Sequence, residues 1–252
     1  MRYKNETTIN QIAELKYGKS LPERERKEGN VPVYGSGGIT GYHNQSLIKK
    51  GIIVGRKGTV GSVRFSEVPF FPIDTVFYVD TVKGKNDLKF FYYFLQSIGL
   101  ENYDSDAAVP GLNRNLVHKL SAIIPEPKTQ QRIASILSAY DDLIEVNNQR
   151  IKLLEQTARE LYKEWFVRMR FPGYKQAKFK KGVPEGWTTI AISDVVDFKM
   201  GQSPKSEFYN EEGIGLPFHQ GVGNYGLRFP VHKVFCSVNG RTANEGDVLF
   251  SV

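Results

Sequence analysis

Cysteine is nearly absent: Cys236 stands alone among 252 residues. No disulfide can form within the chain and no thiolate cluster can hold a metal, so a reducing compartment fits. A lone Cys of this kind reads as a small buried side chain. Long apolar runs are missing too. None approaches the roughly 20 residues that span a bilayer. No basic-plus-apolar leader opens the chain, and the expected location is the cytoplasm. Catalytic signatures are also missing. There is no GxxxxGK[ST] phosphate loop, and GSGG at residues 35–38 lacks the spacing of a dinucleotide fingerprint. No HExxH, CxxC or calcium-loop pattern occurs, and the four histidines are scattered. Asp74, Glu126 and Lys128 lie too far apart for a nuclease site, the last two in a proline-flanked turn. The chain reads as non-catalytic, with no metal or cofactor of its own.

Positive charge, by contrast, is plentiful. The chain holds 34 Lys and Arg against 27 Asp and Glu, a net +7 with a pI near 9.3. Clustered cations gain free energy by releasing counterions from phosphates, which makes a polyanionic partner one reading of this balance.

The sequence also repeats itself. IAELKYGKSLP (12–22) returns as VVDFKMGQSP (195–204), with Lys16/Lys199, Gly18/Gly201 and Ser20/Ser203 at one common offset. VPVYGSGGITGYHN is followed by GIIVGRKGTVG in the first copy, and LPFHQGVGNYG by NEGDVLFSV in the second. The period far exceeds the roughly 20–50 residues of solenoids, so a duplicated globular domain is expected. The second copy stops early, inside an expected strand, at Val252. Its apolar Phe235, Val248, Leu249 and Phe250 are expected to lack cover.

Residues 1–127 read as a mixed α/β domain. GIIVGRKGTVGSVRF suggests short strands and tight turns, and FFPIDTVFYVD one strand rich in aromatic and β-branched residues. NDLKFFYYFLQSIGLENY has helical length, with Leu88, Phe91, Tyr92 and Leu95 on one face. GLNRNLVHKLSAIIPEP suggests a short helix and a closing strand. Residues 171–185 form a basic linker, either a solvated tether or a phosphate contact. Residues 186–252 open a partial second domain, with Trp187 as a packing anchor.

Residues 128–170 differ in kind. Ile133, Leu137, Tyr140, Ile144, Asn147, Ile151, Leu154, Ala158, Leu161 and Trp165 step by four and three in turn, a heptad seam. A continuous helix is expected from a Thr129 cap to Arg168, ended by Phe171-Pro172-Gly173. Such a seam fits against another helix. Asn147 either fixes register there or reaches water.

Two loops carry binding chemistry. YGSGGITGYHN offers Ser36, Thr40, Tyr42 and Asn44 beside glycines that permit close backbone approach. GRKGTVG carries Arg56, Lys57 and Thr59, with Arg64 just beyond. Arg can bridge guanine O6 and N7, and Lys can pair with phosphate. Each loop alone could be an ordinary solvated turn. Lys16, Lys19 and Ser20 of the repeated phrase complete the candidate DNA-binding set.

Together these segments resemble the specificity (S) subunits of type I restriction–modification systems. YGKSLP, PVYGSGGITGYHN, GIIVGRKGTVG, PIDTVFYV, AVPGLNR and the 125–166 helix segment carry the likeness, with PEGWTTIAISDVV and DVLFSV at the second copy. The resemblance implies an α/β (α+β) fold of duplicated target recognition domains joined by a coiled-coil-type helix. It implies that each domain reads one half of a bipartite site in double-stranded DNA. It further implies that the helices set the gap and dock two methyltransferase (M) subunits, which restriction (R) subunits join. S-adenosylmethionine, ATP and Mg are then expected on those partners alone. Complete members carry a second central helix, so this chain is either a fragment or a half-subunit that pairs with another copy. The contrasting class is a coiled-coil interaction protein whose domains bind other proteins; salt-dependent duplex binding separates the two.

Overall fold

A computed structural model describes residues 6–103, 111–226, 229–238 and 240–251. The chain divides into two units, residues 1–162 and 163–252. The start of AVPGLNR (108–110) and Val252 lie outside the described residues.

The first unit opens with β1 (Glu6–Thr8), α1 (Ile9–Ile12) and β2 (Lys16–Tyr17). The hairpin β3 (Val31–Gly35) and β4 (Gly38–His43) precedes β5 (Gly51–Gly55) and β6 (Val63–Ser66). Next come β7 (Phe71–Pro72), β8 (Val76–Val79), α2 (Leu88–Ser97), α3 (Arg114–Lys119) and β9 (Ser121–Ile123). Last is α4 (Pro127–Tyr162). One antiparallel sheet runs β2-β8-β5-β6 and a second β4-β3-β7, with β7 parallel to β3. β1 and β9 pair separately.

The core forms on both faces of β5. Ile52 and Val54 point into a cluster with Ile9, Ile12, Phe77, Phe91, Leu95 and Val117. Ile53 points the other way, to Ile48, Phe70 and Val76. This is period-two alternation with both faces covered, which explains the unbroken apolar run GIIV. Each fully buried Ile or Phe contributes roughly 1.5–3 kcal/mol relative to exposure.

FFPIDTVFYVD is two strands rather than the expected one. Pro72 has no N–H for a ladder, and the chain turns at Ile73, where the Val76 N–H donates to the Ile73 carbonyl (3.1 Å). β7 thereby joins β3, while β8 joins β5 and β2 in the other sheet.

α4 begins at Pro127, ahead of the expected Thr129 cap. Proline at the first helical position has its φ preset and no donor to lose. Its 36 residues make a rod about 54 Å long. It ends as a regular α-helix at Tyr162, short of the expected Arg168. Lys163–Val167 continues as a wider π-type turn, the Arg168 N–H donating to the Lys163 carbonyl (2.8 Å). Met169 then takes a left-handed φ of 53° and breaks the helical path.

One buried amide ties α4 to the domain. Gln130 is 1% exposed. Its Oε1 accepts from the Asp87 N–H (2.9 Å), and its Nε2 donates to Asn86 Oδ1 and the Pro125 carbonyl, both at 2.9 Å. Asp87 in turn caps α2 by accepting from the Phe90 N–H (2.7 Å). Farther along, the Tyr93 hydroxyl donates to Asp141 Oδ2 (2.6 Å).

From Leu137 onwards the seam is open among the described residues. Tyr140 is 63% and Leu154 69% exposed, and Leu137, Ile144, Ile151 and Leu161 are exposed too. Ile133 is half-buried and Asn147 and Ala158 are exposed. Ile136, Leu143, Val146 and Leu153 are exposed as well, so the apolar stripe is wider than the seam alone. Trp165, the last seam position, belongs to the second unit.

That unit carries the hairpin β10 (Phe179–Lys180) and β11 (Val183–Pro184). It then has a small antiparallel sheet, β12 (Tyr209–Asn210), β13 (Leu216–Phe218) and β14 (Val234–Cys236), in the order β12-β14-β13. β13 repeats the Pro-centred strand β3 and pairs antiparallel as β3 does, and Cys236 is buried. Trp187 stacks on Phe171 (6.4 Å between centroids, 15°) but is 48% exposed, so it anchors on one side only. The strand expected at DVLFSV does not form. No neighbouring strand pairs with residues 247–251 among the described residues, and an unpaired backbone gains nothing from a ladder conformation. Val248 and Phe250 are exposed, as expected; Phe235 is half-covered in β14 and Leu249 is only just exposed.

Replacing Gln130 with Ala removes three part-buried hydrogen bonds, each worth about 0.5–1.5 kcal/mol. Gln130→Ala should therefore lower the urea midpoint of the first unit's unfolding by the equivalent of about 2 kcal/mol or more. An unchanged midpoint would show that α4 is not fastened through this amide.

Candidate nucleic-acid interface

β5 ends where its neighbours turn, and five loops meet there. Gly55 must be glycine: a Cβ would stand 2.1 Å from the Thr59 carbonyl oxygen. The loop then passes Gly61, whose φ of +74° favours glycine and where a Cβ would lie 2.2 Å from the Glu101 nitrogen. This tight path fixes Arg56, Lys57 and Thr59 against the β3–β4 turn. The Ser62 hydroxyl donates to the Ser36 carbonyl (2.9 Å), and Arg64 Nη2 to the Gly37 carbonyl (3.3 Å). Ser36, Thr59 and Arg64 thus share one rim.

Arg56 is held from two sides. Its Nη1 donates to the Asp74 carbonyl (3.0 Å), and its Cζ lies 4.9 Å from the Tyr17 ring centroid and 5.9 Å from that of Phe77. Its N–H and that of Lys57 both donate to the Thr75 carbonyl (2.9 and 3.2 Å). The Lys19 N–H donates to the Pro72 carbonyl (3.0 Å), placing exposed Lys19 and Ser20 alongside. Lys57 bridges Gly111, and the Leu112 N–H donates to the Arg56 carbonyl (2.9 Å), which brings Arg114 to the same edge.

The edge therefore gathers Lys19, Arg56, Lys57, Arg64 and Arg114, with Asp74 as the sole acid in these segments. None of the five forms an ion pair among the described residues. Cations left unpaired by the fold remain available to an anionic ligand.

Other residues expected at the site lie elsewhere. Lys16 pairs with Asp80 (2.7 Å), and the hydrogen bond from that carboxylate raises its pKa. It faces Tyr78, the side of the strand opposite Tyr17. Thr40 donates to the Val33 carbonyl (3.3 Å), and its own carbonyl accepts from Arg26 Nη1 (2.8 Å). Tyr42 and Asn44 are exposed but sit farther along β4, away from the Ser36 turn. Tyr17 and Arg114 are missing from the sequence-derived set. The signal for both was in hand: Tyr17 lies inside the repeated phrase, and Arg114 closes AVPGLNR.

Behind Arg114, His118 accepts from the Leu15 N–H through Nε2 (3.0 Å). Burial, and then the charge of Arg114, hold its pKa below the ordinary 6.5. Among the described residues no three His, Cys, Asp or Glu side chains group as metal ligands, and no helix is long and apolar enough to cross a membrane.

The described first unit is thus a mixed α/β domain with a glycine-shaped cationic rim, followed by a long helix with an open apolar stripe. Residues 2–156 match the family described as the type I restriction modification DNA specificity domain. The chain belongs to that family. It is 31% identical over 182 residues to the putative type I restriction enzyme MjaX specificity subunit of Methanocaldococcus jannaschii, covering 67% of this chain and 42% of that protein. The MjaIX specificity subunit of the same organism is 30% identical over 141 residues, covering 52% of this chain and 32% of that protein. The chain thus spans well under half the length of these relatives. Among solved structures, the type I restriction–modification S subunit from M. genitalium superposes with a TM-score of 0.62 at 21% identity, over 86% of this chain and 59% of that one. The last likeness bears on the fold alone.

The His118 environment sets a pH dependence. Unfolded imidazole protonates around its ordinary 6.5, whereas the folded one resists protonation to lower pH. Stability present above that value is therefore lost as pH falls from it through the folded pKa. His118→Gln keeps an acceptor for Leu15 but cannot titrate there. Its urea midpoint should fall less than that of the wild type between about pH 7.5 and pH 5. Equal falls would remove His118 from this role.

Proposed function

We propose that this chain is a sequence-specific DNA-binding element of a type I restriction–modification complex, with its first domain reading one half of a bipartite site in double-stranded DNA. The observation that carries this reading is the rim of five cations, shaped by Gly55 and Gly61, that form no ion pair among the described residues. Ser36 and Thr59 at loop tips, and Arg64 reaching the same rim from the start of β6, suit base edges, while Lys19, Arg56 and Lys57 suit phosphates. The open α4 seam supports docking on a helical partner. Two methyltransferase subunits are the proposed occupants, which restriction subunits then join; a second copy of this chain is the competing occupant. In this arrangement the chain itself is non-catalytic and cytoplasmic, and S-adenosylmethionine, ATP and Mg act in the partner subunits. Residues 186–252 belong to a second recognition domain.

Selection of bound sequences from a randomised duplex pool tests the proposal on the full chain. The wild type should enrich one defined half-site and lose affinity steeply with salt. Arg64→Ala should relax the preference at one base pair, a cost of about 1–3 kcal/mol at that position, and leave the others unchanged. Absence of duplex binding at low salt, or enrichment of no sequence, would overturn the reading.

A further inference from the structure

Tyr17 carries two guanidinium groups. The Arg56 and Arg114 Cζ atoms lie 4.9 and 4.8 Å from its ring centroid. The ring attracts each cation through its quadrupole, but the two cations repel each other. Among the described residues neither forms an ion pair with a carboxylate. Arg56 uses the backbone carbonyl of Asp74, not its carboxylate, and His118 beside Arg114 is held towards its neutral form. Nε of Arg114 is buried and finds no hydrogen-bond partner among the described residues. A buried donor on a cation without an acceptor is unfavourable and is resolved by a ligand that supplies one. The segments that carry the two residues are joined, the Leu112 N–H donating to the Arg56 carbonyl and Lys57 bridging Gly111.

We infer that Arg56 and Arg114, set on the shared Tyr17 ring, form a clamp for one backbone phosphate of duplex DNA. This rests on the DNA-binding reading above. A phosphate offers several acceptor oxygens to two planar forks at once. The choice of phosphate over base follows from reach. Both arginines are half-buried and held against the sheet, whereas base edges lie about 8.5 Å deep in the major groove. The clamp fixes register and carries no sequence information; the loop-tip residues read bases.

Salt titrations of the full chain on a mixed-sequence duplex, read by fluorescence anisotropy, test the clamp. Loss of one phosphate contact should reduce the slope of log affinity against log salt by about 0.9, equivalent to roughly eightfold weaker binding at 0.1 M salt. Arg114→Ala should show part of this loss, and Arg56→Ala with Arg114→Ala all of it, with unchanged sequence preference, and Arg114→Lys should keep the slope by keeping the charge. An Arg114→Ala slope equal to that of a duplex-binding wild type overturns the clamp and leaves the DNA reading standing. A changed preference at one base pair with the slope intact overturns it as well. A wild type that binds no duplex overturns both. Should Arg114→Ala fail to fold, the Arg114 Nε–Hε resonance of the wild type, assigned through Arg114→Lys, serves instead. It should shift and exchange more slowly on duplex addition, and an unmoved resonance overturns the clamp.

Discussion

The pairing of β5 on both edges and both faces is the constraint on which the first unit depends. All five of its residues are buried, and it holds β6 on one side and β8 on the other. A strand so placed admits no polar side chain, so the chemistry of this segment is displaced to the point where the strand ends. Gly55 lies too close to the Thr59 carbonyl for any side chain. The chain turns there at once and delivers Arg56, Lys57 and Thr59 to one rim.

The same economy governs the rest of that rim. Each contributing loop is fastened through backbone groups: Ser36 and Gly37 give their carbonyls to the Ser62 hydroxyl and the Arg64 guanidinium, the Thr75 carbonyl accepts from two amides, and the Pro72 carbonyl holds Lys19 by its N–H. Rigidity of this kind lowers the ordering cost of binding. α4 follows the opposite logic. It is fixed firmly at its start by Gln130, and farther along it exposes a wide apolar stripe among the described residues. A helix with such a stripe owes its stability to packing, so in the assembled state a second helical surface should cover it.

Much of this was legible in the sequence, for physical reasons. The heptad of α4 is a strong periodic signal, and GIIV between glycines announces a doubly covered strand. The LPF/VPV correspondence reappears as β13 and β3, each with an antiparallel partner, whereas the repeated phrase carries β2 in the first copy and no strand over 195–204 in the second. The misreadings share a cause. FFPIDTVFYVD looked like one strand because its composition is uniform, yet Pro72 and the turn at Ile73 decide that it serves two sheets. The regular α-helix ends early because the chain widens to a π-type turn at Lys163–Val167, which local composition does not announce. Lys16 was grouped with Lys19 because they are neighbours, but strand alternation sends it to Asp80. Arg114 closes the AVPGLNR segment, but its place beside Arg56 is set by tertiary contacts of residues 111–112.

Hydrogen exchange of the full chain, with and without a saturating duplex, tests the location of the DNA face most directly. Added protection should concentrate in residues 17–20, 35–38, 55–64 and 111–114, while the far side, residues 23–30 and 80–86, exchanges as before. No added protection in those four segments, or protection confined to α4 or to residues 163–251, would contradict the assignment of this rim.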